Sequence, residues 1–321
     1  MGMDGEVVIV TGAGKGVGRA CALHLARCGA RVLVNNRTHG AEDAQCGSAQ
    51  QVVGQILAEG GVAVASTEDV SVHGAGARLV EQALDTWGRV DMVHANAARA
   101  QHAAFHAISL EELRQIVEVG FGSTLELFHA AWPVMRKRGG GRLLATTSSA
   151  GRFGGHGLSA YAASKGAVEA LVRSLAIEGR RHGIRCNALS PYAASQMTTP
   201  HLSADWARML DPAFLGPVVA WLLSNECTLT GQVIVSGGGR HARSWAVETP
   251  GFEGSLDALN WPVLAAASGS PHPDAAAAFA AFMTGSTAFT DSAGSRAGDA
   301  GRASSAGLAD TDLAGSSEVG S

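Results

Sequence analysis

Thr11-Gly12-Ala13-Gly14-Lys15-Gly16-Val17-Gly18 follows the apolar run 7–10 directly and opens a helical pattern over about 17–28. Small residues at such a turn let the backbone approach a pyrophosphate, and the helix start supplies free N–H groups and positive potential. A glycine-rich turn is diagnostic only between a strand and the helix of a first βαβ unit. The chain supplies that setting. Apolar runs at 31–34, 62–66, 92–95, 142–146, 185–188 and 232–235 alternate with helical patterns near 49–59, 75–87, 111–138, 161–181 and 217–224. Unbroken apolar strands alternating with helices predict a parallel sheet covered on both faces, a doubly wound α/β domain of Rossmann type.

Composition agrees. The 321 residues are 46% hydrophobic, enough for a substantial core. The 42 glycines exceed the usual proportion of about 7%, and strand-to-helix turns account for many of them. Nine prolines and no G-X-Y period exclude collagen, and a net charge of −4 argues against a general nucleic-acid binder. That charge resides in one place. Residues 266–321 hold two basic and six acidic side chains, so the first 265 are neutral. Ala, Gly and Ser make up 34 of those last 56 residues, which predicts a flexible extension with one helical patch over 274–284. Cys21, Cys28, Cys46, Cys186 and Cys227 are odd in number and widely spaced, so neither a disulfide framework nor a metal site is expected. No basic leader, no membrane-length apolar run and no peroxisomal C-terminal address is visible, and a cytoplasmic protein is expected.

The second strand runs out at Asn35-Asn36-Arg37. An acidic residue here would hold the ribose 2′-OH of NAD, whereas a cation accommodates a 2′-phosphate. Neutral Asn36, with Arg37 beside it and Lys15 in the glycine turn, favours NADP, with NAD as the alternative; Arg37 also reads as a solvated surface residue. Asp69-Val70, after the third strand, is placed to touch the adenine. Tyr161-Ala162-Ala163-Ser164-Lys165 puts a phenol and an ammonium one helical turn apart, on one face. A phenol of ordinary pKa near 10 is a poor acid–base catalyst at pH 7, and a nearby ammonium is expected to lower it. Ser148, at the end of the fifth strand, could hold a carbonyl while Tyr161 moves the proton and a nicotinamide moves the hydride.

With the glycine turn, Ser148, Tyr161 and Lys165 in this order, residues 5–235 resemble the short-chain dehydrogenases/reductases. Within that family, Val34-Asn35-Asn36, Ala130-Ala131-Trp132, the segment 174–180, Met197-Thr198 and Glu248-Thr249-Pro250-Gly251 are similar to the (3R)-hydroxyacyl-CoA dehydrogenase domains of multifunctional β-oxidation enzymes. The resemblance implies a Ser148–Tyr161–Lys165 catalytic triad and a dinucleotide across Gly12, Gly16 and Gly18, with Lys15, Val17, Asn36, Arg37, Asp69, Val70 and Asn96 around it. It also implies a secondary alcohol or ketone substrate such as a 3-hydroxyacyl thioester, and a homodimer or homotetramer built on the helical patterns 111–138 and 161–181. Four positions depart from the family pattern. Ala95-Asn96-Ala97-Ala98 replaces Asn-Asn-Ala-Gly, leaving Asn96 to buttress the sheet. Gly120 stands where an asparagine normally helps hold a water linking the lysine to solvent, and glycine there suggests a helix irregularity or another water site. Tyr192 follows Pro191 in place of glycine. Asn36 replaces the aspartate of NAD-dependent members.

His94, His102, His106 and His129 lack a metal-ligand spacing and read as surface or pocket histidines; no metal is expected. His156 reads as a loop residue or a border of the substrate. Residues 192–206 look like a mobile lid, with Trp206, Met209 and Leu210 packing on an acyl chain or on the core. Arg136-Lys137-Arg138 is a solvated helix end. Two other functions fit less of the pattern: a dinucleotide-binding sensor or scaffold with little turnover, motivated by Gly120 and Ala98, and a protein acting through its C-terminal extension.

Overall fold

The computed structural model describes residues 2–37, 48–196, 198–199, 202–249 and 268–284. Eight strands form one sheet in the order β3-β2-β1-β4-β5-β6-β7-β8. They are β1 (Val7–Thr11), β2 (Arg31–Asn35), β3 (Val62–Ser66), β4 (Met92–Ala95), β5 (Gly141–Thr146), β6 (Ile184–Pro191), β7 (Val233–Gly237) and β8 (Arg240–Ser244). All neighbours are parallel except β7 and β8. The order reverses direction between β1 and β4, and in such sheets ligands bind in the crevice beyond the strand ends at that reversal.

Helices α1 (Gly16–Arg27), α2 (Ser48–Ala58) and α3 (Ala75–Trp87) follow the first three strands; α4 (Leu110–Val117) and α5 (Ser123–Arg138) lie between β4 and β5. A one-turn α6 (Ala150–Phe153) precedes the long α7 (Ser159–Gly179), and α8 (Ala204–Met209) and α9 (Gly216–Leu223) lie between β6 and β7. Alternate strand residues feed two cores. Val8, Val10, Val32 and Val34 pack with Cys21 and Leu25 of α1, Ile56 of α2 and Val219 and Leu222 of α9. Val7, Ile9 and Leu33 face the other way, onto Leu79 of α3, Phe128 of α5 and Val168 and Val172 of α7. Each aliphatic side chain so buried contributes about 1.5–3 kcal/mol, which explains why the strands are apolar on both faces.

The expected helix over 111–138 is broken. α4 ends at Val117, and a π-helical turn, Glu118–Gly122, separates it from α5. β8 was invisible to periodicity because Arg240, His241, Ala242 and Arg243 are all exposed. It forms because Gly238 and Gly239, at φ of 55° and 75°, make a two-residue reversal after β7.

The chain divides into two compact units, Met1–Trp245 and Ala246–Ser321. In the second, α10 (Ala275–Thr284) fulfils the helical patch expected there, and Glu248 forms an antiparallel bridge with Ser270. Residues 266–267 and 285–321 of the expected extension, together with Cys46, Pro250 and Gly251, lie outside the described residues. Among those described, no helix is long and apolar enough to cross a membrane, and no group of three His, Cys, Asp or Glu could hold a metal.

Candidate active site

A cleft of about 480 Å³ opens where the ends of β1, β4, β5 and β6 meet. Its walls include Gly12, Lys15, Gly16 and Val17 at one end, and Ser148, Tyr161 and Lys165 at the other. A smaller pocket of about 160 Å³ shares Gly12, Asn36, Ala97 and Ala98 with it and adds Arg37, Asp69 and Val70.

The glycine turn is shaped by its neighbours. Gly12 has φ of 62°, and a Cβ there would lie 2.9 Å from the Ala97 Cα, so only glycine lets the turn meet the end of β4. Gly18 has a different task. It lines neither cavity; a Cβ would lie 2.4 Å from the Gly12 carbonyl oxygen, so it seats α1 beneath the turn. Lys15 is the residue before α1 and makes no side-chain cap, and the first turn of the helix holds no acid. The helix start therefore presents its N–H groups and partial positive charge to the cleft.

Asn96 ties this end to the sheet. Its amide donates to the Thr11 and Gly12 carbonyl oxygens at 3.0 and 3.3 Å, and its Oδ1 accepts from Thr146 Oγ1 at 3.2 Å. Since that hydroxyl proton is committed, His94 Nε2, 3.0 Å from the same oxygen, must be the donor. Burial lowers the pKa of His94 to about 3, with the Lys165 charge adding to the effect, so its ring is neutral. Of the four histidines grouped in sequence, His94 alone is buried; His102, His106 and His129 are exposed on the surface, as is the loop residue His156.

At the chemical end, Lys165 Nζ lies 5.8 Å from the Tyr161 ring centroid and donates to the Thr146 carbonyl oxygen at 2.7 Å. Burial brings its pKa from 10.5 to about 8. The Tyr161 phenol departs from expectation. Burial pushes it above its ordinary value of 10, and the opposing influence is a hydrogen bond with Ser148 rather than the ammonium. Next to Ser148, Thr147 Oγ1 donates to Glu169 Oε1 at 2.9 Å, and Arg152 bridges Glu169 and Ser190. This buried network clamps the serine segment to α7, one turn beyond Lys165.

Gly120 sits in the π turn, where a Cβ would lie 2.6 Å from Ser164 Oγ and 3.1 Å from its Cβ. The irregularity expected of that glycine is thus present, and it packs closely on α7. Arg37 is not free: its Nη1 is 3.2 Å from Asp69 Oδ2. Asn36 donates to Ser48 Oγ at 2.7 Å.

At the end of β6, Pro191 and Ala193 line the cleft, whereas Tyr192 faces a separate cavity of about 520 Å³ with Leu202, Trp206, Leu210, Val235 and Ala242. Met209 is exposed and lines neither. Ser195, Gln196 and Thr198 of the expected lid also edge the cleft; Met197 and Pro200 lie outside the described residues. Sequence reasoning placed Ser195, Gln196 and Thr198 within the lid without singling them out, and it missed Thr146 and Arg99 as site residues. The turn after β4 was the available signal for Arg99.

Residues 6–206 match the family model for short chain dehydrogenases. The short-chain type dehydrogenase/reductase Rv0148 of Mycobacterium tuberculosis is 38% identical over 244 residues, 75% of this chain and 85% of that protein. Peroxisomal multifunctional enzyme type 2 of Mus musculus is 40% identical over 238 residues, 74% of this chain; the match spans only 32% of the mouse protein. The crystal structure of a short chain dehydrogenase from Mycobacterium avium superposes with a TM-score of 0.72 at 32% identity, covering 84% of this chain and 98% of that one. The glycine turn, the sheet order and these matches agree, and the chain belongs to the short-chain dehydrogenases, a family of NAD(P)-dependent oxidoreductases acting on CH–OH groups.

Proposed function

We propose that the protein interconverts a secondary alcohol and a ketone with NADP(H), and that the substrate is a 3-hydroxyacyl or 3-oxoacyl thioester. The observation that carries the reading is one cleft with the glycine turn at one end and Ser148, Tyr161 and Lys165 at the other. The residues suit a dinucleotide: the backbone at Gly12 is bare, the start of α1 is uncapped by any side chain, and Lys15 adds a cation.

The nicotinamide, when bound, supplies or accepts the hydride. Ser148 then orients the carbonyl oxygen by hydrogen bonding. In reduction, Tyr161 gives its phenolic proton to the developing alkoxide; in oxidation the phenolate takes it back. A phenol held above its ordinary pKa keeps that proton at neutral pH, which suits ketone reduction. Lys165, fixed on the Thr146 carbonyl, stands beside the ring, while the Ser148 hydroxyl is the group that opposes the burial of the phenolate.

The thioester assignment draws support from the sequence segments shared with hydroxyacyl-CoA dehydrogenase domains and from the apolar cavity beneath Tyr192 and Trp206, which offers room for an acyl chain. Stopped-flow oxidation of NADPH with a panel of 3-oxoacyl thioesters tests the reaction. Tyr161→Phe is expected to lower kcat at least 10²-fold, the low end of what a positioned proton donor contributes; unchanged turnover would end the mechanism. Tight NADPH binding without turnover by the parent protein would instead favour the sensor reading motivated by Gly120.

A further inference from the structure

We propose that Arg99 is the cation that selects a dinucleotide bearing a 2′-phosphate; this rests on the reading of the cleft as a dinucleotide site. Arg99 follows Ala97 and Ala98 at the turn after β4 and lines the small pocket with Asn36, Arg37, Asp69 and Val70. Asn36 and Arg37 follow the end of β2, the position that meets the ribose 2′ substituent in this fold. Lys15 and Gly16 line the larger cleft but not this pocket, which places the pyrophosphate contacts elsewhere.

The charges in the pocket wall are unequal in their partners. Arg37 pairs with Asp69 at 3.2 Å, and Glu68 pairs with Arg78 at 2.8 Å. Arg99 Nη1 donates to a neutral amide oxygen, Gln115 Oε1, at 3.0 Å. No carboxylate among the described residues forms an ion pair with it. Glu112 feels its charge, but that carboxylate is held low first by Ser109 and Gln101, which hydrogen-bond it. Among the described residues, Arg99 is therefore the guanidinium in this pocket whose charge no ion pair offsets. A guanidinium presents a planar fork of donors that matches two phosphate oxygens. Of the two cations inferred from sequence, Lys15 lines the larger cleft, and Arg37 has its charge directed at Asp69, so that it holds the pocket rim.

The test is calorimetry on the purified protein with adenosine 2′,5′-bisphosphate and 5′-AMP, beside fluorescence titrations with NADPH and NADH, for the parent, Arg99→Met and Arg37→Met. Arg99→Met is expected to weaken the bisphosphate and NADPH about tenfold or more, the scale of one charge-assisted pair, while 5′-AMP and NADH change less than twofold. Arg37→Met is expected to have the smaller effect on NADPH. An equal loss for NADPH and NADH, an unchanged NADPH affinity, or a larger loss from Arg37→Met would overturn the proposal and leave the cofactor reading standing. Failure of the parent protein to bind any of the four compounds would overturn the cofactor reading itself.

Discussion

Lys165 is 1% exposed, and its ammonium is held at the cost of desolvation, which brings its pKa from 10.5 to about 8. The folded state binds this proton less tightly than the unfolded state does. The cost is therefore complete below pH 8 and disappears as pH rises toward 10.5, amounting to about 3 kcal/mol. Lys165→Met, which keeps the volume and removes the charge, is expected to abolish turnover and yet stabilise the protein at pH 7 by about 1–3 kcal/mol. Urea titrations of the two proteins at pH 7 and pH 10 check it: the gain must shrink at the higher pH. At this scale the sequence was informative where spacing dictates geometry, since four residues on a helix place Tyr161 and Lys165 on one face. It was silent where burial decides. The phenol sits under enough protein to raise its pKa, against the expectation drawn from a neighbouring ammonium, and the pairing of Arg37 with Asp69 depends on a contact 32 residues apart.

Among the elements, the π turn between α4 and α5 is hidden from hydrophobic periodicity, and only Gly120 hinted at it. One residue wound into a wider turn leaves the apolar pattern on both sides continuous, so periodicity reads one helix. The turn brings Gly120 against Ser164, whose hydroxyl donates to the Tyr161 carbonyl at 2.8 Å. Gly120→Asn restores the side chain common in the family but places its Cβ against Ser164. We expect it to destabilise by about 1–3 kcal/mol through overpacking, and to lower kcat because Ser164 and Tyr161 share a turn of α7. Thermal melting and turnover measured together check this; a stable, faster variant would show that the turn is permissive. β8 escaped notice for the opposite reason: its pairing comes from a glycine reversal, and its side chains carry no alternation to detect.

For the whole molecule, an apolar groove of about 330 Å³ crosses α5 and α7, lined by Leu125, Phe128, Trp132, Pro133, Leu171 and Leu175. These are the helices expected to pair two subunits, and we propose a homodimer through this face. Leu125 is 42% exposed, so Leu125→Glu should spare the fold and shift the protein to a monomer in analytical ultracentrifugation. An unchanged sedimentation coefficient would place the subunit contact elsewhere. The strand-helix alternation and the sheet it predicts were readable because buried parallel strands must be apolar throughout. The two-cavity arrangement was not, since it depends on which way residues 191–193 alternate at the end of β6.

Thr146 belongs to both ends of the cleft. Its carbonyl holds Lys165, and its hydroxyl passes from His94 to Asn96 and so to the glycine turn. We therefore expect changes at His94 and at Lys165 to be coupled in cofactor affinity and in turnover. A change that loosens His94 reaches the lysine through one residue of one strand, and a change at the lysine travels back. A double-mutant cycle on His94→Val and Lys165→Met, read in NADPH affinity, should return a coupling of about 0.5 kcal/mol or more, whereas independent sites would add. Kinetic scans that sort variants into binding defects and chemical defects would assign these residues to both classes.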